Sequence, residues 1–376
     1  MGGFPCVFIM KIGIIGDIHL GFATTKAPIT HAVTNGQYAA LEAIFADLEA
    51  RDVDTLVFVG DIFENRRFIA SEVLDYAYRM FKTRLAGFQC YVIAGNHDML
   101  YDNSSDVCNI RMLENLDNVH VYIDGVGVAE LDGKNWFFVP WIQDDKMEKV
   151  NKWLIKESRG DISKNVIVGH FDMIGARMEA KTVSTAGFDP KRFLNAAQLT
   201  ISGHYHCRST IESDDSQVCY VGTPYQLTFG HVGIPAGYHI YEDGVLTFYK
   251  NNVSPEFIDV VDTELGKYSD LTNKIVRYYV DKNRSFDEAA MLKATLADMH
   301  PVYIDQVPYG EDPDTEENAD APKTEEEARQ IMTTDSVGMA EMYLDKHPEI
   351  LPELNSGEDA KMATLAFIRE YNAKIK

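Results

Sequence analysis

The sequence predicts an α/β protein in which two β-sheets pack face to face and helices cover their outer surfaces. The main observation is a set of five short apolar runs that each end in glycine, followed at once by Asp, Asn or His. Helical segments alternate with these runs early in the chain, and strand-like runs follow one another later. Because loops after such strands gather at one edge of a sheet, we expect the five polar groups to lie together.

Each of the five runs continues directly into its polar loop. The runs and loops are Lys11–Ile15 into Gly16-Asp17-Ile18-His19, Thr55–Val59 into Gly60-Asp61-Ile62-Phe63-Glu64, Cys90–Ala94 into Gly95-Asn96-His97-Asp98, Asn165–Val168 into Gly169-His170-Phe171-Asp172, and Leu199–Ser202 into Gly203-His204-Tyr205-His206. Glycine suits a sharp turn and lets the backbone approach a bound group closely. A single match would be weak, whereas five in one chain indicate a shared site.

The segments between and after these runs predict the other elements. Helices are predicted at Asn35–Arg51, Phe68–Leu85, Asp106–Leu116 and Asp144–Lys156. Strands are predicted at Val119–Ile123, Val126–Leu131, Trp136–Val139, Ser209–Glu212, Val218–Val221, Gly237–Tyr241 and Val245–Tyr249. The apolar stripe of Phe68–Leu85 fits two alternatives, packing on the sheet or self-association as a homodimer.

The remaining residues predict three further parts. Residues 254–310 form a small α+β domain with strands at Phe257–Asp262, Lys274–Val280 and Val302–Pro308 and a helix near Phe286–Met299. Residues 311–335 are an acidic linker, because Glu311–Glu327 holds nine acids and one lysine. Residues 336–376 are helical, and the stripe Leu365, Ile368, Tyr371 and Ile375 packs either on a partner chain or back on its own protein.

Composition limits the classes of protein that fit. The formal net charge is −23, which argues against broad electrostatic attraction to nucleic acid, so a DNA-handling surface would have to be local. No apolar run reaches the ~18 residues of a membrane span. The five cysteines form no CxxC pair, which favours reduced thiols in a cytoplasm. Met10 looks like a natural start, so residues 1–9 are expected to be a dispensable extension.

The polar loops carry more metal-binding groups than one ion needs. The candidate ligands are Asp17, His19, Asp61, Asn96, His170, His204 and His206. Side chains two apart in an extended segment point the same way, so Asp17 with His19 and His204 with His206 are predicted chelating pairs. Nitrogen and oxygen donors without thiolate suit manganese, iron or zinc. The set predicts two divalent ions that share a carboxylate and hydrolyse a phosphate ester.

His97 is the candidate catalytic residue. If Asn96 faces a metal, His97 projects elsewhere, where it can neutralise the transition state or protonate the leaving oxygen. Asp98 is predicted to orient His97 and to hold it protonated.

The order DxH, GDxxE, GNHD, GHxD and GHxH across Asp17–His206 resembles the calcineurin-like metallophosphoesterase superfamily. The resemblance implies a four-layer sandwich of two mixed sheets flanked by helices. It also implies that a first metal takes Asp17, His19, Asp61 and His206, that a second takes Asp61, Asn96, His170 and His204, and that His97 is the transition-state histidine.

The motifs Asp17-Ile-His-Leu-Gly21 and Gly60-Asp-Ile-Phe-Glu64, with Gly222-Thr-Pro-Tyr-Gln226 after the last histidines, are similar to the SbcD-type nuclease subunits of recombination and repair, especially those of tailed phages. That similarity implies manganese-preferring cleavage of DNA ends (with magnesium, iron or zinc as alternatives), a capping domain, and C-terminal helices that bind an SbcC-type coiled-coil ATPase. It places the protein in the cytoplasm, that of the host if a phage encodes it. Glu64 stands where cellular members often carry histidine, and it is expected beside the ligands and near the substrate phosphate.

Candidate DNA contacts lie near the second and fourth motifs. They are Arg66, Arg67, Arg177 and Lys181, with Lys191 and Arg192 further along, and Tyr225 and Gln226 at the expected rim of the site.

Three functional hypotheses remain open. The first is a two-metal nuclease subunit of an SbcCD-like complex, acting as an exonuclease on duplex ends and an endonuclease on single strands. The second is a stand-alone phosphodiesterase for a small or phosphoprotein substrate, which the acidic charge slightly favours and the tail disfavours. The third is a catalytically silent scaffold, which the complete ligand set disfavours.

Overall fold

The fold is taken from a computed structural model that describes residues 10–23, 27–101, 104–142, 146–178, 182–281 and 283–308. The expectations for residues 1–9, for the linker at 311–335 and for the tail at 336–376 lie outside these described residues. Within the described ranges, no helix combines the length and the apolar character that crossing a membrane requires.

The described strands and helices follow the predicted order closely. The strands are β1 Lys11–Ile15, β2 Thr55–Phe58, β3 Gln89–Ile93, β4 Met99–Tyr101, β5 Ser104–Cys108, β6 Val119–Tyr122, β7 Gly127–Leu131, β8 Lys134–Val139, β9 Asn165–His170, β10 Leu199–Gly203, β11 Ser209–Glu212, β12 Gln217–Tyr220, β13 Gly237–Glu242, β14 Val245–Lys250, β15 Glu256–Val261, β16 Lys274–Val280 and β17 Tyr303–Pro308. The helices are α1 Ala27–Ala50, α2 Ser71–Arg79, α3 Met147–Glu157, α4 Lys191–Leu194 and α5 Phe286–Ala297.

Two six-stranded mixed sheets form the centre of the fold. The first has the order β14-β13-β1-β2-β3-β6, and the second has the order β11-β12-β10-β9-β8-β7. The strands β1, β2 and β3 that precede three polar loops are parallel neighbours. The strands β9 and β10 before the other two loops are parallel neighbours in the second sheet. Three of the five polar loops therefore lie at one edge of the first sheet, and the other two lie at one edge of the second.

The apolar residues divide into layers. Ile14 and Val59 from the first sheet pack with Trp136 and Val168 from the second, which forms a core between the sheets. The outer face of the first sheet packs against α1 and α2, and that of the second packs against α3 and α4. Each fully buried aliphatic or aromatic side chain contributes roughly 1.5–3 kcal/mol of transfer free energy. The predicted four-layer α/β sandwich is confirmed.

Three predicted helices differ from the observed ones. α1 begins at Ala27, eight residues before its predicted start, because Pro28 lies in the first turn, where a missing N–H is tolerated. The helix predicted at Asp106–Leu116 is wrong. Its first residues form β5, which pairs with β4, and a 3₁₀ turn is enough to bury Ile110 and Leu113.

The segment Phe68–Leu85 is shorter as a helix than predicted. α2 ends at Arg79 and continues as one π-helical turn, Met80–Arg84. Val73 and Ala77 pack in the core, whereas Leu74 is 40% exposed. Packing on the sheet thus accounts for part of the stripe, and self-association stays a prediction.

The strands and the helix predicted within residues 254–308 are present. Strands β15, β16 and β17 form a parallel sheet beside α5, whose N-terminus is closed by a capping box at Ser285. Phe257 and Ile275 belong to the same apolar cluster as α1 and the first sheet. The small sheet is therefore packed directly on the sandwich.

Candidate metal centre

The polar loops depart from extended geometry at three candidate ligands. His19, Asp61 and His204 have φ values of 42°, 49° and 87°, in the left-handed region that side chains disfavour. Such backbone costs on the order of 1–3 kcal/mol per residue and persists where the surroundings fix it. The glycines permit close packing, since a Cβ at Gly95 would lie 2.1 Å from Asp61 Oδ1.

One group of donor atoms joins the first motif to the last. His19 Nε2 lies 2.9 Å from His206 Nε2, and their rings meet edge to face. Asp61 Oδ2 lies 3.6 Å from the same His19 nitrogen. These side chains come from the loops after β1, β2 and β10, on both sheets.

A second group joins the third motif to the fourth and fifth. Asn96 Oδ1 lies 2.9 Å from His170 Nε2 and 3.1 Å from His204 Nδ1. Asp61 Oδ2 lies 3.3 Å from His170 Nε2. One carboxylate oxygen therefore stands between the two groups.

Asp17 is fully buried beside both groups. Both of its oxygens accept from the main-chain N–H of His204, at 3.1 and 3.2 Å. Its Oδ1 is also 3.4 Å from His170 Nδ1. All seven side chains predicted as ligands are thus brought together in one cluster, in which Asn96, His204 and His206 are half-buried and the other four are buried.

Neighbouring groups fix which ring nitrogen faces the cluster. His170 Nδ1 donates to the carbonyl of Val59 at 2.9 Å, which leaves Nε2 towards Asn96 and Asp61. The Glu64 carboxylate lies 2.7 Å from His19 Nδ1, on the side of the ring away from His206. A carbonyl or carboxylate behind the ring is the usual arrangement for a metal-binding histidine.

In this cluster, burial and neighbouring charges have opposing effects on the pKa values of several side chains. Burial acts to lower the pKa of His19, but neighbouring carboxylates, first among them Glu64, outweigh it and raise that pKa to about 9. Burial acts likewise on His170, where Asp61 prevails and the pKa rises to about 9. Burial raises the pKa of Asp17 to about 6. Burial opposes ionisation of Asp61 as well, but the two histidines hold its pKa well below the usual range.

The donor set fits divalent cations. Donors bound to one cation at ~2.0–2.2 Å lie about 3 Å apart, and the separations within each group are 2.9–3.6 Å. Buried carboxylates need compensating charge, which the structure supplies by imidazolium and which a cation can replace. The donors are nitrogen and oxygen, as borderline and hard divalent ions prefer.

The predicted role of Asp98 is wrong. Its Oδ1 accepts from the main-chain N–H groups of Ile62 and Phe63, and its Oδ2 accepts from that of Gly95. Both oxygens are thus occupied by backbone, so Asp98 ties the second loop to the third instead of orienting His97. Burial raises its pKa to about 7.

His97 is held by different partners. Its main-chain N–H donates to Asp61 Oδ1 at 2.8 Å, and its Nδ1 donates to the carbonyl of Glu64 at 2.6 Å. Its ring is half-buried, 4.9 Å from that of His19. Nδ1 is therefore occupied, and Nε2 is the remaining ring nitrogen.

The residues predicted to contact DNA fall into two sets. Tyr225 and Gln226 are only 1% and 6% exposed and bond to main-chain groups inside the protein, so the prediction that they form a DNA-binding rim is wrong. Arg67 and Arg177 are exposed and Arg66 is half-buried. Lys191 and Arg192 are also exposed, while Lys181 lies outside the described residues.

Three side chains at the centre were missed from the sequence. Gln37 on α1 donates to the carbonyl of His19 at 2.9 Å. The rings of Trp141 and His204 are 5.0 Å apart, and those of His231 and His206 are 5.4 Å apart. Only Gln37 carried a signal, because it is a polar residue four positions before Leu41 on the apolar stripe of its helix.

Comparison with known proteins gives consistent similarities. A family model described as calcineurin-like phosphoesterase matches residues 10–208, more than half of the chain. Exonuclease subunit 1 of Enterobacteria phage T4 is 29% identical over 297 residues, which are 76% of this chain and 81% of that protein. Putative phosphoesterase 078R of Invertebrate iridescent virus 3 is 24% identical over 194 residues, which are 50% of this chain and 53% of that protein.

Among solved structures, a putative 5′-nucleotidase from Staphylococcus aureus aligns with 77% of this chain and 58% of its own, with a TM-score of 0.39 and 15% identity.

Proposed function

This chain belongs to the calcineurin-like phosphoesterase family, and we propose that within it the protein is the two-metal nuclease subunit of a DNA recombination or repair complex. The observation that carries the proposal is the position of Asp61 Oδ2, within 3.6 Å of the first donor group and 3.3 Å of the second. A carboxylate between two donor groups is what a pair of cations about 3.5–4 Å apart requires.

The proposed ligands divide between the two ions as the resemblance implies. The first ion would be held by Asp17, His19, Asp61 and His206, and the second by Asp61, Asn96, His170 and His204. Two divalent ions in such a site supply Lewis acidity and charge neutralisation to the hydrolysis of a phosphodiester. Manganese is the proposed native ion, because the mixed imidazole and carboxylate set suits it.

The chain's own residues then have separate tasks. Glu64 and the Val59 carbonyl hold the rings of His19 and His170 in the orientation that presents Nε2. His97, held through Nδ1, directs Nε2 towards the scissile phosphate, where it stabilises developing charge and protonates the leaving oxygen. Asp98 keeps the loops in register.

DNA is the proposed substrate, acted on from duplex ends and within single strands. The similarity to a phage exonuclease subunit supports this class of substrate. Locally, Arg66 and Arg67 follow Glu64 in a turn that Asn65 fixes by accepting two main-chain N–H groups at 2.9 Å. Such arginines, two and three residues after the Glu64 carbonyl that binds His97, can contact phosphates although the whole chain carries a net charge of −23.

The substrate proposal is tested by comparing two phosphodiesters. With Mn²⁺ present, we expect hydrolysis of linear duplex DNA, loss of that activity on adding EDTA, and recovery with excess Mn²⁺. A nitrophenyl phosphodiester in parallel tests the small-substrate alternative, which the acidic charge favours. Efficient turnover of the small ester without cleavage of DNA would contradict the nuclease proposal. Absence of both bound metal and any cleavage would instead favour the silent scaffold.

The proposed partner is an SbcC-type coiled-coil ATPase bound through residues 336–376. Support comes from the sequence pattern of the tail and from the relative's description as a subunit. A pull-down that loses one large ATPase when the chain is truncated before Ser336 would support it, and an unchanged pull-down would contradict it. Homodimerisation through α2, where Leu74 is exposed, is a separate proposal that sedimentation tests.

Metal binding is expected to release protons. Without an ion, the pKa values of His19 and His170 are raised to about 9, so both rings are largely protonated at pH 7, whereas a ligand must be neutral. Binding of both ions at pH 7 should therefore release about two protons, and affinity should rise with pH until about pH 9.

Calorimetric titration of Mn²⁺ in two buffers with different ionisation enthalpies measures this release. A His120→Ala variant, changed at an exposed histidine, should release the same number of protons. Identical binding heats in the two buffers would contradict the expected release.

A further inference from the structure

Two buried side chains outside the proposed ligand set hold the loop of the first motif. Gln37 Nε2 donates to the carbonyl of His19 at 2.9 Å and also lies 3.4 Å from that of Ile18. The hydroxyl of Tyr225 donates to the carbonyl of Ile18. Gln37 is fully buried and Tyr225 is 1% exposed. Two consecutive carbonyls are therefore fixed from inside the protein.

These bonds act where the backbone needs support. His19 has a φ of 42°, which a residue with a side chain adopts only when its surroundings impose it. Its main-chain N–H is tied to the carbonyl of Asp61 at 2.9 Å. Gln37 and Tyr225 supply side-chain anchors on the carbonyl side, so they help to determine where the His19 ring points.

The sequence neighbours of Gln37 and Tyr225 contact β15 or Pro255, the residue directly before it. Next to Gln37, Gly36 packs so tightly on Pro255 that a Cβ there would lie 2.4 Å from the proline Cδ. Next to Tyr225, Gln226 accepts the main-chain N–H of Phe257, in β15, at 2.6 Å. Gln226 is itself fixed, since its Nε2 donates to two carbonyls at 2.8 Å.

We propose that Gln37 and Tyr225 are positioning residues for His19. We further propose that they couple the first metal site to the packing of the β15–β17 sheet on the sandwich. Two separate segments make the same connection, because in each one residue bonds to the His19 loop and a sequence neighbour contacts β15 or Pro255 directly before it. The proposal rests on the proposed function, because it assigns His19 to a metal ion. Packing of this sheet on the sandwich then raises the affinity for that ion, and the bound ion raises the equilibrium constant for this packing by the same factor.

The positioning role is tested in the full chain with Tyr225→Phe and Gln37→Leu. Loss of one such hydrogen bond should weaken the binding of one of the two Mn²⁺ ions by about 5- to 10-fold, measured by calorimetry and independent of activity. Tyr238→Phe is the matched control, because it also removes a buried hydroxyl, one that donates to Asp47. The control should bind both ions as the wild type does.

The coupling is tested with Gln226→Leu and hydrogen exchange. This variant removes the acceptor of the Phe257 N–H, and it should weaken the same ion by about 5- to 10-fold. Conversely, Mn²⁺ should slow exchange of the β15 amides by a similar factor in the wild type, and this slowing should be lost in Tyr225→Phe.

The possible outcomes distinguish failure of this inference from failure of the proposed function. Wild-type protein that binds no metal would overturn both. Wild-type protein that binds two ions, with all three variants binding equally well, would overturn the inference and leave the function standing. Weaker binding in Tyr225→Phe with unchanged exchange of β15 would overturn the coupling.

Discussion

Replacing His97 with alanine is expected to lower phosphodiester hydrolysis by about 10²–10⁴-fold while both metal ions stay bound. The reason is that its ring is held through Nδ1 by the Glu64 carbonyl and is not needed as a ligand in either donor group. Its main-chain N–H still bonds to Asp61 in the variant, so the loop keeps its anchor. Turnover of duplex DNA and metal content by mass spectrometry are measured on the same preparation.

His120→Ala is the matched control, because it removes an exposed imidazole that stacks on Tyr91. This control should retain wild-type turnover and two ions. A His97→Ala protein with undiminished nuclease activity would contradict the catalytic role, and one that lost its metal would make His97 a ligand.

Replacing Asp61 with alanine is expected to abolish binding of both ions and to lower activity by about 10³-fold or more. Its Oδ2 lies 3.6 Å from His19 Nε2 in the first donor group and 3.3 Å from His170 Nε2 in the second. Its loss also removes the main group that offsets the burial of His170 and one of the carboxylates, after Glu64, that offset the burial of His19. Metal stoichiometry and turnover test the prediction together.

Asp61→Asn separates charge from shape in this position. The amide oxygen can still accept the His97 N–H, so the fold of the loop should persist while metal binding is lost. Asp75→Asn, on the exposed side of α2, is the control for removing one acid. Two ions bound at wild-type affinity in Asp61→Asn would contradict a bridging role.

Much of this architecture could be predicted because strand and loop signals coincide. Each buried run ends in a glycine and a polar group, so strand ends and site residues are read from the same motif. Ser209–Glu212 and Lys274–Val280 have the predicted bounds. Asp106–Leu116 failed because its few apolar residues fit a helix as well as a strand with a 3₁₀ turn.

The backbone conformation of the site loops could not be predicted from these sequence motifs. The chelating pairs were predicted from alternation in an extended segment, yet His19 and His204 have left-handed backbone. The right residues converge for another reason, which is that buried partners fix these turns. Tyr225 and Gln226 illustrate the same limit, because polar residues near a site in sequence can serve its interior and not its rim.

The central claim is that two cations share Asp61, and anomalous diffraction measures it most directly. Crystals grown with Mn²⁺ and measured above the manganese absorption edge should show two peaks about 3.5–4 Å apart, both beside Asp61. One peak should lie against His19 and His206, and the other against Asn96, His170 and His204. A single peak, or two peaks of which one does not contact Asp61, would contradict the account.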